Sequence, residues 1–196
     1  MAASRTLSIE KVVTAATEIA RHDGLQKLTI STLAKRLDIR SQSLYHYIRN
    51  REELVSLVGA HVLHELYHQI VDSIVGLSGK QAIIKMGDIV RTEIIKQPFM
   101  TSIFYMMQVN PHEHNVQAEL EKIVEIVKKI VNGDEELQQT TDPQMLIGAA
   151  FGFIFIDLLP DHRNKISKDC QSRQHAYDLM LMRLISPSTA EEKGVE

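Results

Sequence analysis

Apolar residues recur three and four positions apart along most of this chain, which is the spacing of a helix with one buried face. We therefore predict an all-α fold of about nine helices. They span residues 8–24, 29–37, 40–47, 50–75, 80–96, 99–108, 112–131, 143–160 and 171–185. The polar segments 134–141 and 161–168 are predicted to be a loop and a link between helices.

Residues 28–51 contain two short helical patterns joined by a tight hinge. The first begins at Thr29, a good N-cap residue, and the second follows the hinge at Asp38 and Ile39. The second is too short and too polar to be stable alone, because isolated helices below about 12 residues are marginal in water. Neighbouring helices must therefore support it, and its outer face is available to contact another molecule. This arrangement predicts a helix-turn-helix, whose second helix reads DNA.

Together with its surroundings, this stretch resembles the N-terminal domain of the TetR-type repressor family. The resemblance covers residues 8 to about 60, where several spaced positions agree in order. These positions are Gly24-Leu25, Leu28-Thr29, Leu33-Ala34, Asp38-Ile39, Leu44-Tyr45-His46-Tyr47-Ile48 and Asn50-Arg51. The chain departs from the family pattern at Asp38, where a glycine is usual, and at Tyr47, where a phosphate-binding histidine is usual.

The resemblance implies two helical domains. A three-helix helix-turn-helix domain, here called the head, would occupy residues 1–50 and bind an operator in double-stranded DNA. A larger helical domain for ligand binding and dimerisation, here called the body, would occupy residues 51–186. We expect residues 187–196 to form a mobile tail, because they are polar and terminal.

Ten residues near the hinge are predicted to contact DNA, by their chemistry and by matching positions. Arginine pairs with guanine and glutamine with adenine, so the first turn of the second helix is predicted to read base edges. Hydroxyl and cationic side chains around it are predicted to hold phosphates. The base-reading candidates are Arg40, Ser41, Gln42 and Ser43; the phosphate candidates are Ser31, Tyr45, Tyr47 and Arg51; His46 suits either role, and Thr29 completes the set. The alternative for one of the two tyrosines is a place in the core.

Charge is distributed unevenly along the chain. The net charge of −3 by itself argues against a nucleic-acid ligand. Residues 1–55 nevertheless hold nine Lys or Arg and six Asp or Glu, a balance of +3, whereas residues 56–196 hold 13 and 19, a balance of −6. Basic charge therefore lies with the predicted DNA-binding head. The alternative is that a surface helix simply happens to be basic.

The composition is that of an ordinary globular protein, with 44% hydrophobic and 24% charged residues among 196. Residues 9–20 form an amphipathic pattern rather than the apolar core of a signal peptide, so we expect a cytoplasmic protein. The single cysteine, Cys170, excludes an internal disulfide and offers no metal cluster. The apolar segment 143–160 is shorter than the roughly 20 residues that cross a bilayer. We therefore predict no membrane association, and we predict no cofactor.

The helices predicted at residues 143–160 and 171–185 are candidates for a dimer interface. The family resemblance implies that they pair with the same helices of a second copy in a four-helix bundle. Small residues in the first of them would let another helix approach closely; they are Gly148, Ala149, Ala150 and Gly152. The alternative is that both helices belong to the core of one chain.

The resemblance also implies a small-molecule effector that binds the body. The candidates for its site are aromatic, methionine and a few polar residues, namely His64, Tyr67, His68, Met86, Arg91, Phe99, Phe104, Met107, Phe153 and Asp157. The alternative is that most of them fill the core. His61, His64 and His68 share one helix face. We favour a solvated or pocket-edge role for these histidines and predict no metal, although a metal site is the alternative.

The patterns predict a DNA-binding protein, and the family resemblance implies a transcriptional regulator, expected to be a repressor that binds a palindromic operator as a dimer and is released by a small molecule. The alternative is a DNA-binding regulator without an effector, controlled by a partner protein or by its abundance. We expect no enzymatic activity, because the chain has no Gly-rich phosphate loop after a strand and no Gly-x-Ser-x-Gly motif.

Overall fold

The computed structural model describes residues 7–97, 99–109, 114–159 and 170–186, with backbone alone at 106–109 and 170. Within these residues the chain forms ten α-helices and a 3-10 helix, Leu25–Lys27, with no strand. The α-helices are α1 (Ile9–Asp23), α2 (Ile30–Leu37), α3 (Ser41–Leu44), α4 (Arg51–Ile74), α5 (Gly79–Lys96), α6 (Met100–Val109), α7 (His114–Asn132), α8 (Glu135–Thr140), α9 (Pro143–Leu158) and α10 (Cys170–Ile185). The predicted all-α fold is confirmed. The predicted link at 161–168 and tail at 187–196 lie outside the described residues.

Local sequence signals set the ends of the first helices, as predicted. The Ser8 hydroxyl accepts a hydrogen bond from the backbone N–H of Lys11 and caps α1, which ends at Gly24 with φ +82°. Thr29 caps α2 in a reciprocal box, in which its side chain accepts from the N–H of Thr32 while Thr32 accepts from the N–H of Thr29. Capping of this kind satisfies N–H groups that have no partner inside the helix.

A small apolar core joins α1, α2 and α3. Its most deeply buried members are Val12, Ala16, Leu28, Leu33 and Leu44, each with no exposed surface. Fully burying a side chain of leucine size contributes about 1.5–3 kcal/mol. α3 contributes only Leu44 to this core, so its stability depends on its neighbours.

The described residues pack as two compact units. The first consists of residues up to 68 together with 97–122, and the second consists of 69–96 together with residues from 123 onward. The division falls inside α4 and again inside α7. The predicted boundary after residue 50 stays a prediction.

In the first unit, α4 packs closely against α6 and α7 at Gly59. A Cβ added to Gly59 would lie 2.7 Å from Cγ2 of Ile103 and 3.2 Å from Cγ2 of Val116. Both of these side chains are 2% exposed. A residue without a side chain is therefore what allows the helices to meet here.

The predicted loop at residues 134–141 is wrong, because Glu135–Thr140 form α8. Asp134 caps this helix by accepting a hydrogen bond from the N–H of Leu137 at 3.0 Å. Leu137 is fully buried and anchors the turn. One buried residue in a polar segment produces no periodic pattern, although an aspartate followed by two glutamates is a signal for a helix start.

α9 is the most apolar helix, yet large apolar side chains on it are exposed. Phe151, Phe155 and Ile156 are 41%, 46% and 46% exposed, and Met145 one turn earlier is 48% exposed. In the described ranges, no helix combines the length and the apolar character that a membrane span requires.

Candidate nucleic-acid interface

The hinge between α2 and α3 depends on an unusual backbone conformation at Asp38. Its φ of 54° and ψ of 48° lie in the left-handed region, and its N–H donates to the carbonyl of Ala34. Among the described residues, Asp38 is the one non-glycine residue with positive φ. This explains why glycine is usual there, since only glycine adopts that conformation without steric cost, and aspartate tolerates it better than most residues.

α3 is shorter than the predicted helix at residues 40–47. Arg40 occupies the N-cap position with extended backbone, and the regular helix ends at Leu44. The N–H groups of Tyr47 and Ile48 both donate to the carbonyl of Leu44, which continues the chain as a turn. Leu44 and Ile48 are buried and hold this turn in place. Helix ends of this kind fray, so pattern alone does not fix them.

Most of the predicted DNA contacts in and beside α3 are exposed. Ser43 is half-buried, and the exposed ones are Arg40, Ser41, Gln42, Tyr45 and His46. Tyr45 is 56% exposed, an unusual position for a large aromatic ring. Ser31, on α2, is also exposed. This turn therefore presents cationic, amide, hydroxyl and aromatic groups together to solvent.

Three predicted phosphate or DNA contacts instead form bonds within the protein. Arg51 donates from Nε to the carbonyl of Leu28 at 2.8 Å and from Nη2 to the carbonyl of Leu25 at 2.6 Å. Tyr47 donates its hydroxyl proton to the carbonyl of Leu7 at 2.7 Å. Thr29 caps α2, as described above. Their contacts with DNA stay predictions, and Tyr47 would have to exchange its intramolecular bond for one to phosphate.

The start of α4 is stabilised by polar side chains. The side-chain Oδ1 of Asn50 accepts a hydrogen bond from the N–H of Glu53 at 2.8 Å, which confirms the predicted cap. Hydrogen bonds from the side chain and backbone N–H of Arg49 lower the pKa of Glu53 below its ordinary value. Glu53 is therefore ionised at neutral pH, and its negative charge lies at the positive end of the α4 dipole.

Residues 12–58 match the model for bacterial regulatory proteins of the tetR family. The matched segment runs from α1 through the hinge and α3 into α4, so it contains the whole helix-turn-helix. This part of the chain is a TetR-family helix-turn-helix. The family resemblance stated from the sequence is thereby confirmed.

A curated relative and two solved structures are similar to this chain. The uncharacterized HTH-type transcriptional regulator YobS of Bacillus subtilis (strain 168) is 23% identical over 125 residues, and the match spans 64% of each chain. The fatty acid degradation regulator FadR from Bacillus halodurans has a TM-score of 0.65 at 14% identity, covering 97% of this chain and 98% of its own. A TetR variant from Acinetobacter baumannii AYE in complex with minocycline has a TM-score of 0.61 at 17% identity, covering 92% and 96%. These structural matches show a shared fold.

TetR-family transcription regulators are DNA-binding proteins without enzymatic activity. The matched family supports the prediction that this chain is not an enzyme. The helix-turn-helix lies in the matched segment, whereas dimerisation and effector binding by the remaining helices stay predictions.

Two predicted effector residues, Arg91 and Asp157, bind each other. Nε and Nη2 of Arg91 donate to Oδ2 of Asp157 at 3.2 and 2.8 Å, and their side chains are 4% and 0% exposed. The other carboxylate oxygen accepts from Arg173, and Nη1 of Arg91 donates to the side-chain carbonyl of Gln174. Two guanidinium groups thus surround one buried carboxylate in the second unit. Buried charges persist in this way only when they are paired and hydrogen-bonded.

A buried tyrosine that the sequence analysis did not identify lies beside this network. Tyr177 is fully buried, with the Cζ atom of Arg91 5.6 Å from its ring centre and Phe153 5.3 Å away edge-on. Burial raises the pKa of Tyr177 far above its ordinary value. Among the described residues, neither its hydroxyl nor Nε of Arg173 has a hydrogen-bond partner. The apolar spacing of Tyr177, Leu181 and Ile185 was the available signal for a buried face.

The other effector candidates lie in both units and differ in burial. Met86 and Phe99 are buried; Tyr67, Phe104 and Phe153 are half-buried; His64 and His68 are exposed; the side chain of Met107 is outside the described residues. Tyr67, Phe99 and Phe104 belong to the first unit, whereas Met86 and Phe153 belong to the second. Their role in ligand binding stays a prediction.

Two of the three α4 histidines contact each other. Nε2 of His64 lies 3.1 Å from Nε2 of His68, and Nδ1 of His64 lies 3.2 Å from Oε2 of Glu119 on α7. His61 instead lies near Glu65, at 3.5 Å. The sequence analysis overlooked that residues 64–68 read His-Glu-x-x-His, a metal-binding spacing. In the part of the chain that the structure describes, no group of three or more His, Cys, Asp or Glu residues is placed to hold a metal.

Proposed function

We propose that this protein is a transcriptional repressor that binds a palindromic operator as a homodimer and leaves it when a small molecule binds the body. The exposed polar turn at α3 carries the proposal, because it lies within a segment that matches the TetR-family model. In a helix-turn-helix, the second helix enters the major groove and places its N-terminal residues against base edges.

Base reading is assigned to Arg40 and Gln42. Both are exposed, and both lie at the start of α3. Arginine can donate two hydrogen bonds to guanine, and glutamine can form two with adenine, each pair giving about 1–3 kcal/mol of discrimination. Ser41, Tyr45 and His46 would hold the turn in register through phosphate and sugar contacts, which carry no sequence information themselves.

Dimerisation is assigned to the exposed apolar face of α9 together with α10. This face contains Met145, Gly148, Phe151, Gly152, Phe155 and Ile156 from α9 and Leu179 and Met182 from α10. A Cβ added to either glycine would meet no atom within 4 Å, so there is open space beside the backbone for another helix. A dimer would present two recognition turns to successive major grooves, about 34–36 Å apart.

An effector is supported by the fold and by two buried polar atoms. The similar TetR structure holds minocycline, so the shared fold can accommodate a small molecule. In this chain, the Tyr177 hydroxyl and Nε of Arg173 have no hydrogen-bond partner among the described residues. Buried polar groups are normally satisfied, and a ligand with a polar group would satisfy either atom.

One observation favours a regulator without an effector. Arg91 and Asp157 were the strongest charged candidates for ligand recognition, and they are engaged with each other and with Arg173 and Gln174. A ligand that used them would have to replace these bonds in a buried site, where leaving a charge unpaired is costly. Control by a partner protein or by abundance remains the second candidate.

A mobility shift on the DNA flanking the protein's own coding region tests DNA binding. We expect a discrete complex that survives competitor DNA at physiological salt, because non-specific binding weakens steeply with salt. Failure on that DNA and on sequences selected from random DNA would contradict the proposal. Compounds that raise the melting temperature are then added to the complex, and release of DNA supports an effector, whereas unchanged DNA affinity with every binding compound supports the alternative.

Sedimentation velocity tests the dimer interface. We expect Phe155→Asp to convert a dimer into a monomer, because it places a charge at the centre of the exposed apolar face. The matched control is Tyr105→Asp, since Tyr105 is 68% exposed but lies on α6. A dimer that withstands the first substitution, or dissociates with both, contradicts the assigned interface.

A further inference from the structure

The histidines of the His-Glu-x-x-His segment on α4 are arranged as a pair of ligands. His64 and His68 lie one helical turn apart, with their Nε2 atoms separated by 3.1 Å. Two nitrogens bound to one tetrahedral zinc ion, each at about 2.0–2.1 Å, lie about 3.3 Å apart. A metal ion would therefore fit between the two rings with a displacement of a few tenths of an ångström.

A carboxylate from another helix orients the first ring. Nδ1 of His64 lies 3.2 Å from Oε2 of Glu119, while Oε1 of Glu119 accepts from Lys122 at 2.7 Å. With the proton on Nδ1 donated to Glu119, Nε2 of His64 carries the lone pair and accepts a hydrogen bond from Nε2 of His68, a bond that a metal ion between the two nitrogens would replace. Metal-binding histidines are held in this way by a carboxylate on the opposite ring nitrogen, which fixes the tautomer and raises ligand basicity.

The site is accessible on one side and anchored on the other. The side chain of His64 is 49% exposed, whereas that of Glu119 is 17% exposed. Glu119 can therefore hold the ring from the protein side while metal enters from solvent at His64.

We propose that His64 and His68 together bind one divalent transition-metal ion per chain, with Zn²⁺ as the ion that tests the site. Imidazole nitrogen suits Zn²⁺, Ni²⁺ and Cu²⁺ rather than Mg²⁺ or Ca²⁺. The protein supplies two ligands from the described residues, and water or a small molecule completes the coordination. Open positions of this kind are typical of sites that exchange a ligand.

The pattern does not imply a protease. In metalloproteases with this motif, the glutamate acts as general base. Here the carboxylate of Glu65 pairs with Arg21 and lies 3.5 Å from His61, so it is engaged away from the two ligands. The proposed role is therefore binding of the ion, without catalysis.

Zinc titration of the full-length, tag-free protein tests the site, after removal of bound metal with a chelator and of the chelator itself. Competition with a chromogenic chelator gives the affinity and stoichiometry. We expect one Zn²⁺ per chain in the wild type and at least tenfold weaker binding in both His64→Ala and His68→Ala. Glu119→Gln is expected to weaken binding by roughly 10- to 100-fold, as loss of an orienting carboxylate does.

His61→Ala is the matched control, because it removes a histidine from the same helix without touching the pair. We expect its zinc affinity to stay within twofold of wild type. Circular dichroism establishes that each variant folds, and Co²⁺ absorption gives an independent signal that both ligand variants should lose. The proposal is overturned if the wild type binds no Zn²⁺, if the two ligand variants bind as tightly as wild type, or if His61→Ala weakens binding equally.

Discussion

The turn at α3 and the network around Asp157 both contain clustered polar residues, but they use them in opposite ways. At α3, Arg40 and Gln42 extend into solvent. Around Asp157, the polar atoms of Arg91 and Gln174 bond to each other in the interior. The comparison teaches that a polar residue type does not indicate a binding role until its tertiary partners are known.

The largest expected effect on stability comes from removal of the buried carboxylate of Asp157. Asp157→Ala leaves Arg91 buried without its anion, and we expect a loss of about 3–5 kcal/mol in the free energy of unfolding. Urea denaturation followed by circular dichroism measures it, with the exposed Glu135→Ala as control. A loss below about 1 kcal/mol, within the range of exposed ion pairs, would contradict the structural role.

Replacing Arg40 or Gln42, the exposed residues at the start of α3, should change selectivity for the operator and leave the free energy of unfolding unchanged. Each of Arg40→Ala and Gln42→Ala should reduce discrimination between the operator and other sequences by about 1–3 kcal/mol. Mobility shifts at fixed salt with operator and scrambled DNA measure the effect, and Gln26→Ala, an exposed residue of the 3-10 helix, is the control. Unchanged operator selectivity in both variants would refute the assignment of base reading.

Tyr47 is intermediate between the buried network around Asp157 and the exposed residues of α3. Its ring is half-buried, and its hydroxyl donates to the carbonyl of Leu7. We expect Tyr47→Phe to lower the free energy of unfolding by about 0.5–1.5 kcal/mol, the usual value of one hydrogen bond. Operator selectivity should be unchanged. If stability is unaffected and affinity for all DNA sequences falls instead, the hydroxyl binds phosphate, as predicted from the sequence.

The smallest expected effect on the free energy of unfolding comes from substitution of Asp38 at the hinge between α2 and α3. Asp38→Gly should raise the free energy of unfolding by up to about 1 kcal/mol, because the left-handed conformation costs a non-glycine residue roughly that amount. Asp38→Ala, which keeps a Cβ and removes the carboxylate, should lower it. Thermal melts of the pair measure the difference, and equal melting temperatures would show that the hinge is unstrained.

The helices of the head could be predicted because each signal is local. Ser8, Gly24 and Thr29 set helix ends within a few residues of themselves, and Leu33 and Leu44 face the core through simple spacing. The short extent of α3 and the existence of α8 were not predicted, since both depend on one or two buried residues. Packing, and not periodicity, determines such elements.

The partners of the functional residues could not be predicted, because they are distant in sequence. Glu119 lies 55 positions from His64, and Asp157 lies 66 positions from Arg91. A sequence shows that each residue can form a hydrogen bond, but the fold selects the partner. The exposed polar turn at α3 was predictable because a short helix with one buried residue leaves its other faces in solvent.

The two hydrogen bonds of Arg51 have a mechanical consequence. They connect the first residue of α4 to the carbonyls of Leu25 and Leu28, which lie just before α2. The first residue of α4 is therefore bonded directly to the backbone at the entrance of the helix-turn-helix. A rotation at the start of α4 would therefore act on the helix-turn-helix through these two bonds as well as through the chain between α3 and α4.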